Sequence, residues 1–271
     1  MDSVTEKEMS LQQIIRNAAN DRGVLVAFSG GVDSSLLLWE AVQSLGPQMV
    51  TAVTASAPTS PAGEVESARR FAERLGVEHL VVETDECADE RFLENPPDRC
   101  YVCKLLRYRS LKLLTQTLGR SVVLDGTQAD DDPTDRPGMR ALDEERVTSP
   151  LVQAGLNKGE VRLLLERAGF ADHAKKAAQP CLATRIPHGT RITLEAPQRV
   201  RDGESFLRDL GIETVRLRDH QSIARIVTSA AGLEMILGDR GLRDEVLRRL
   251  RELGYQHVTI DLEEYGRAKV G

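Results

Sequence analysis

The chain has 271 residues, enough for one large domain or two modest ones with a substantial core. Hydrophobic residues make up 41% and charged residues 29%, the balance of an ordinary globular protein. A formal net charge of -6 and only 4% aromatics weigh against a broad nucleic-acid surface, which needs basic charge and stacking platforms.

The segment from Met1 to Ser10 is acidic and polar, unlike a secretory signal, and no apolar run approaches membrane-spanning length. A cytoplasmic location is expected. There the four cysteines stay reduced and read as ligands or reactive thiols sooner than as disulfides. Residues 1–22 form an amphipathic helix pattern with Leu11, Ile14, Ile15 and Ala18 on one side. Val24 to Phe28 is a first strand, Gln48 to Thr54 a second, His79 to Glu83 a third and Ser121 to Asp125 a fourth. Helical patterns run from Leu36, from Gly63 to Leu75 and from Val102 to Leu118, the last two closed by Gly76 and Gly119. Strands alternating with helices predict an α/β fold with a parallel sheet flanked by helices. Gln128 to Glu145 reads as a long acidic loop, Val147 to Val152 as a short fifth strand and Lys158 to Ala168 as a helix. From Leu194 the pattern becomes a helix, strands at Thr214–Leu217 and Ala224–Thr228, helical segments to about Leu253 and a strand at His257–Leu262. This predicts two domains, 1–189 and a small α+β domain at 190–271.

Between the first strand and its helix lies Ser29-Gly30-Gly31-Val32-Asp33-Ser34-Ser35. Glycines let the backbone approach an anion, and a helix N-terminus turns free N–H groups and its dipole toward negative charge. The lysine of a Walker loop is missing. The bland reading is a βα turn capped by Asp33 and Ser34. The S-G-G-x-D-S pattern in this setting resembles the PP-loop of N-type ATP pyrophosphatases, which split ATP between the α- and β-phosphates and adenylate a substrate. Ligands of parallel sheets sit at the carboxyl ends of strands, where Thr54–Ala55 and Asp125–Gly126 also fall. Asp125–Gly126 reads equally as a simple turn.

Cys100 and Cys103 form a C-x-x-C at a helix start, and Cys181 follows Pro180. Three thiols suit a [4Fe–4S] cluster with one open iron; zinc, a redox pair and three unrelated small apolar residues are the other readings. Cys87, set among Asp and Glu, reads as structural. Arg216 and Arg218 alternate along a strand and project from one face, as an anion site or as a solvated strand face.

The PP-loop, Asn95-Pro96-Pro97-Asp98-Arg99-Cys100-Tyr101-Val102-Cys103-Lys104, Asp125-Gly126-Thr127, Arg136-Pro137-Gly138, Pro180-Cys181 with Arg185, and Val215-Arg216-Leu217-Arg218 occur in an order that resembles the LarE family over nearly the whole chain. That family makes ATP-dependent sulfur transfers in nickel-pincer nucleotide cofactor synthesis. The resemblance implies adenylation of the carboxylates of pyridinium-3,5-dicarboxylate mononucleotide and their replacement by thiocarboxylates. It implies ATP and Mg²⁺ at Ser29, Gly30, Gly31, Asp33, Ser34 and Ser35, adenosine near Thr54 and Ala55, and the same nucleotide near Asp125 and Gly126. It implies sulfur delivery by a [4Fe–4S] cluster on Cys100, Cys103 and Cys181, fed by sulfide or another sulfur donor. Members with a cysteine only at the position of Cys181 sacrifice its sulfur instead. Arg185, Glu204, Arg216 and Arg218 are implied at the substrate, and a homo-oligomer, a hexamer among the options, in assembly. Arg136 and Arg140 flank Pro137-Gly138 and read either as ordering the acidic loop over the nucleotide or as surface salt-bridging residues. The rival readings are a PP-loop tRNA thiolase with a three-cysteine cluster, an amide-forming PP-loop ligase, and a nucleotide sensor with structural zinc.

Overall fold

The computed structural model describes residues 2–131 and 138–265. Arg136 and Pro137, named above, lie outside the described residues. The chain divides into two compact units. The first comprises Met1–Ala57, Gly63–Glu86 and Asp98–Gln179; the second comprises Pro58–Ala62, Cys87–Pro97 and Pro180–Gly271. The division at 179–180 falls earlier than the 189–190 junction expected from the pattern, and two short upstream segments go with the second unit.

In the first unit the order is α1 (Ser3–Ala19), β1 (Val24–Ala27), α2 (Val32–Leu45), β2 (Val50–Ser56), α3 (Glu64–Leu75) and β3 (Glu78–Glu83). The second unit's α4 (Glu90–Leu93) intervenes. The first unit resumes with α5 (Arg99–Thr117), β4 (Val122–Leu124), α6 (Met139–Glu145), α7 (Pro150–Gln153), α8 (Lys158–Arg167) and α9 (Ala171–Ala174). The sheet is parallel throughout, in the order β3-β2-β1-β4, with Val24 opposite both Val50 and Val122. The two-residue period of a strand sends alternate side chains to opposite faces. Val24 and Val26 pack with Leu11, Ile15, Leu36 and Phe71 from α1, α2 and α3, whereas Leu25 packs with Tyr108 and Leu111 of α5 and Leu142 of α6. Both faces are thus buried under helices, as a parallel sheet requires. β2 and β3 lie on one side of β1 and β4 on the other, so the strand order turns at β1 and a crevice opens at the carboxyl ends of β1 and β4.

Two expectations are corrected. Val147–Val152 is not a strand: Thr148 makes a single bridge to Leu124, and Pro150, at the first turn of α7, starts a helix because it lacks only an N–H that a helix start leaves unused. The end of the acidic segment is not loop but α6, closed by Arg146 in the left-handed region.

The second unit continues with α10 (Glu195–Asp209), β5 (Val215–His220), β6 (Ile223–Thr228), α11 (Ala230–Gly238), α12 (Arg240–Glu252) and β7 (His257–Ile260). Its sheet is mixed: β5 pairs antiparallel and β7 parallel with β6. Leu207, Leu217, Ile226, Ile236, Val246 and Leu250 form its core. The upstream segments are tied in by hydrogen bonds. The fully buried Asn95 donates to the carbonyls of Pro187 and Thr190, each at 2.8 Å, and Leu182 N donates to Thr59 O at 2.8 Å.

Candidate functional site

In the first unit, β1 delivers its chain to the crevice at Ser29. Gly30 takes φ +69°, and a Cβ there would stand 3.2 Å from the backbone N of Ala68, so only glycine fits. Gly31 is the N-cap of α2. The loop is braced internally: Ser34 Oγ accepts from Ser29 N at 3.3 Å and donates to Gly31 O at 3.2 Å, and Gly31 N donates to Ser29 Oγ at 3.3 Å. These bonds hold the N-terminus of α2 open toward the crevice, where its dipole favours an anion.

A cavity of about 270 Å³ lies against this loop. Among its walls are Ser29, Gly31, Asp33, Ser34, Thr54, Ala55, Asp125 and Gly126, so eight of the ten residues expected to bind nucleotide line one cavity. Gly30 and Ser35 do not line it. Thr54 and Ala55 lie within β2, which runs on to Ser56. The Thr54 hydroxyl is spent on Phe28 O at 2.7 Å and faces His79 at 2.8 Å, so this residue shapes the wall and offers no free donor.

Asp125 is buried and satisfied from four directions. Tyr108 Oη donates to its Oδ2, Thr127 Oγ1 and Thr127 N (2.8 Å) donate to Oδ1, and Ser149 Oγ lies 3.5 Å from Oδ1. Burial and the Asp125 charge push the Tyr108 phenol well above its ordinary range, keeping it a donor. Asp125 therefore shapes the turn after β4. That turn presses Gly126 onto α2: a Cβ at Gly126 would lie 3.0 Å from Ser34 N.

Several cavity residues escaped the sequence reading. Lys104, Arg107, Tyr108 and Leu111 line it from α5 at helical spacing, a stripe that the periodicity of the segment does contain. Lys158, at the start of α8, places its ammonium 2.7 and 2.6 Å from the two carboxylate oxygens of Asp33. A loop without a Walker lysine thus receives a lysine from a distant helix. Asp131 and Glu64 add carboxylates to the wall. Among the described residues no group of three or more His, Cys, Asp or Glu is placed to hold a metal ion. Mg²⁺ at nucleotide sites needs only one or two carboxylates beside phosphate oxygens and water, and Asp33, Glu64, Asp125 and Asp131 are carboxylates on this wall.

Cys100 is exposed and Cys103 half-buried, one turn apart at the start of α5. Cys103 Sγ lies 3.7 Å from the carboxylate of the buried Glu86, which Arg107 also bonds. Cys181 belongs to the second unit and is half-buried; Cys87 is buried.

In the second unit Arg185 and Glu204, expected at the substrate, are closed on each other. Arg185 Nε and Nη2 reach the two Glu204 oxygens at 2.8 and 3.1 Å, with both side chains 2% exposed. Arg185 Nη1 donates to the carbonyls of Pro180 (2.8 Å) and Cys181 (3.2 Å), and Glu204 also accepts from Arg208 and from Leu217 N. The pair fixes the turn that carries Cys181. Arg216 and Arg218 do share one strand face, and the register places Arg225 of β6 beside Arg218. Burial and then the neighbouring Arg185, Arg225 and Arg216 push the Arg218 guanidinium below its ordinary value. Arg218 Nη1 holds Thr184 O at 2.6 Å, while its buried Nε has no hydrogen-bond partner. Arg140 stacks on Tyr101, 4.2 Å from the ring centre. No helix among the described residues is long and apolar enough to cross a membrane.

Comparison with known proteins agrees with this geometry. The NAD synthase family model matches residues 3–95. The chain is 38% identical to an uncharacterized protein of Synechocystis over 91% of each chain. It is 26% identical to an uncharacterized protein of Methanocaldococcus jannaschii over 96% of this chain and 97% of that one. It is 36% identical to the pyridinium-3,5-bisthiocarboxylic acid mononucleotide synthase of Lactiplantibacillus plantarum over 88% of this chain and 85% of that protein. With its parallel-sheet PP-loop domain, this chain belongs to the LarE family of ATP-dependent sulfurtransferases.

Proposed function

We propose that the chain uses ATP to adenylate the carboxylates of pyridinium-3,5-dicarboxylate mononucleotide and exchanges each for a thiocarboxylate. The cavity beneath the N-terminus of α2, lined by the PP-loop and the turn after β4, carries this reading. A carboxylate oxygen is a poor leaving group. Attack of the carboxylate on the α-phosphorus forms the acyl adenylate and releases pyrophosphate. Sulfur then adds to the acyl carbon and AMP departs with the C–O electron pair. Ser29, Gly31 and the first turn of α2 hold the departing pyrophosphate, and Asp33 with Lys158 sets the charge at its edge. The carboxylates of the cavity wall, Asp33 among them, would hold Mg²⁺, which would neutralise phosphate charge there. Arg216 and Arg218 receive an anionic group of the substrate, in keeping with the crowded guanidinium face. Arg185 and Glu204 act on the substrate only through the Cys181 turn they brace.

The finer part of the proposal concerns sulfur. Cys100, Cys103 and Cys181 are the thiols proposed to hold a [4Fe–4S] cluster, which would supply a metal-bound sulfide. The donor chemistry suits it: none of the three is in a disulfide, and all are more accessible than Cys87. The reading includes a cytoplasmic homo-oligomer.

The test is anaerobic iron–sulfur reconstitution followed by mass spectrometry of product formed from ATP and pyridinium-3,5-dicarboxylate mononucleotide. Multiple turnovers requiring iron and all three cysteines support the cluster. A single turnover with loss of sulfur from Cys181 replaces it with sacrificial transfer. Absence of product, with thiolation of tRNA instead, refutes the sulfurtransferase reading of this substrate.

A further inference from the structure

His173, on α9, has no place in the mechanism above, yet it stands directly behind the PP-loop. Its Nε2 lies 3.0 Å from Gly30 O and 2.8 Å from Ser35 Oγ. A carbonyl oxygen carries no hydrogen, so the contact with Gly30 is attractive only when Nε2 bears the proton. In the tautomer that this contact favours, Nε2–H donates to Gly30 O and Ser35 Oγ accepts a share of the same proton. The ring packs on Phe71 of α3, with centroids 4.6 Å apart. Lys176, close behind it, donates to Ser67 Oγ at 2.6 Å.

This contact bears on the one residue of the loop with left-handed backbone. Gly30 sits between Ser29, two residues past the end of β1, and Gly31, which caps α2. Gly30 C=O and Gly31 N–H share one trans peptide plane, so a carbonyl held on the far side leaves that N–H on the opposite side, where it makes only a long bond to Ser29 Oγ at 3.3 Å. Glycine supplies the freedom to take this conformation and, for the same reason, the freedom to leave it. A donor on its carbonyl from the far side removes that second freedom.

We infer that His173 is a positioning residue of the PP-loop, holding the Gly30 carbonyl away from the cavity so that the loop's N–H groups are set for the phosphates of ATP before ATP arrives. The inference rests on the reading of this cavity as the ATP site. Burial, Lys176 and Arg74 push the imidazole down to about 4, against the opposing pull of Gly30 O, so the ring works as a neutral donor at ordinary pH. A neutral donor suits the task, because it adds no cation to compete with Mg²⁺ next to the phosphate site.

The test compares His173→Phe, which keeps the stacking on Phe71 and removes the donor, with His173→Gln, whose amide N–H can restore it. Pyrophosphate release by the full chain is measured against ATP and against the second substrate, with thermal melting as the check on folding. The expected result is a KM for ATP raised about tenfold in the Phe variant, equivalent to ~1.4 kcal/mol, with kcat and the second substrate's KM within about twofold of wild type, the range of a negligible energy. The Gln variant recovers most of the affinity. A folded Phe variant with unchanged KM for ATP overturns the inference, as does equal weakening in both variants, because an N–H supplied again by Gln would then recover nothing. A wild-type chain that neither binds MgATP nor releases pyrophosphate overturns the ATP-site reading instead, and that control is run first.

Discussion

Glu40 offers a quantitative test of how the PP-loop helix is seated. It lies about two turns beyond Asp33 on α2 and is fully buried. One carboxyl oxygen accepts from Gln12 of α1 at 3.1 Å, while the other has no partner. Burial foremost, then the charge of Glu8, raises its pKa to about 8; the Gln12 bond opposes this only in part. A carboxyl group whose folded pKa is raised holds its proton in the native state while the unfolded chain releases it. Its cost to stability is therefore absent below the unfolded value of 4.5, grows as pH rises through the interval, and levels off above about 8. The slope is about 1.4 kcal/mol per pH unit, so the cost at pH 7 is roughly 3 kcal/mol. Glu40→Gln keeps the shape and the partner Gln12 and removes the titration. Urea denaturation at intervals from pH 5 to pH 9, probes chosen to span the predicted window, should show the variant gaining on wild type as pH rises. The gain should vanish near the acid end and reach a plateau at the alkaline end. A stability difference that does not change with pH would refute the argument that Glu40 is held neutral in the native protein.

Gly126→Ala tests the contact between the two loops of the nucleotide cavity: its Cβ meets backbone atoms of Ser34 and Asp33 that cannot yield. A loss of about 1–3 kcal/mol in stability, as in overpacked sites, should accompany weaker ATP binding by calorimetry, and a neutral outcome on both counts would mean the loops do not touch this closely. Arg185→Met should cost about 3 kcal/mol in a urea melt because it leaves the buried Glu204 short of its main partner. The double change Arg185→Met with Glu204→Met should recover part of that loss. An Arg185→Met chain of wild-type stability but poor substrate affinity would return Arg185 to the substrate site.

Much of the first unit was legible in the sequence because its signals are local. Alternating short apolar runs and helical periods fixed the strands around Val24, Val50 and Val122, and Gly76 and Gly119 marked helix ends. The PP-loop was legible because left-handed backbone at Gly30 and an N-cap at Gly31 demand small residues in a short contiguous stretch. The fifth strand failed because Val147-Thr148-Ser149-Pro150 has β-like composition, and only the single neighbour at Leu124 shows how little pairing is on offer. No local signal assigns Cys87–Pro97 to either unit; buried Asn95, tied to carbonyls some ninety residues further on, makes it part of the second unit.

The sequence by itself determined the doubly flanked parallel sheet, the anion-binding loop and the pairing of Cys100 with Cys103 on one helix face, since each depends on spacings of a few residues that backbone geometry converts directly into position. Only the tertiary structure decided which distant groups complete them. Lys158 reaches Asp33 across 125 positions of chain and His173 reaches Ser35 across 138. Arg185 and Glu204, whose residue types suggested an open anion site, are instead spent on each other. A side chain's type states what it can bond; burial and the neighbours brought to it by folding state what it does bond, and no spacing rule carries that information over such separations.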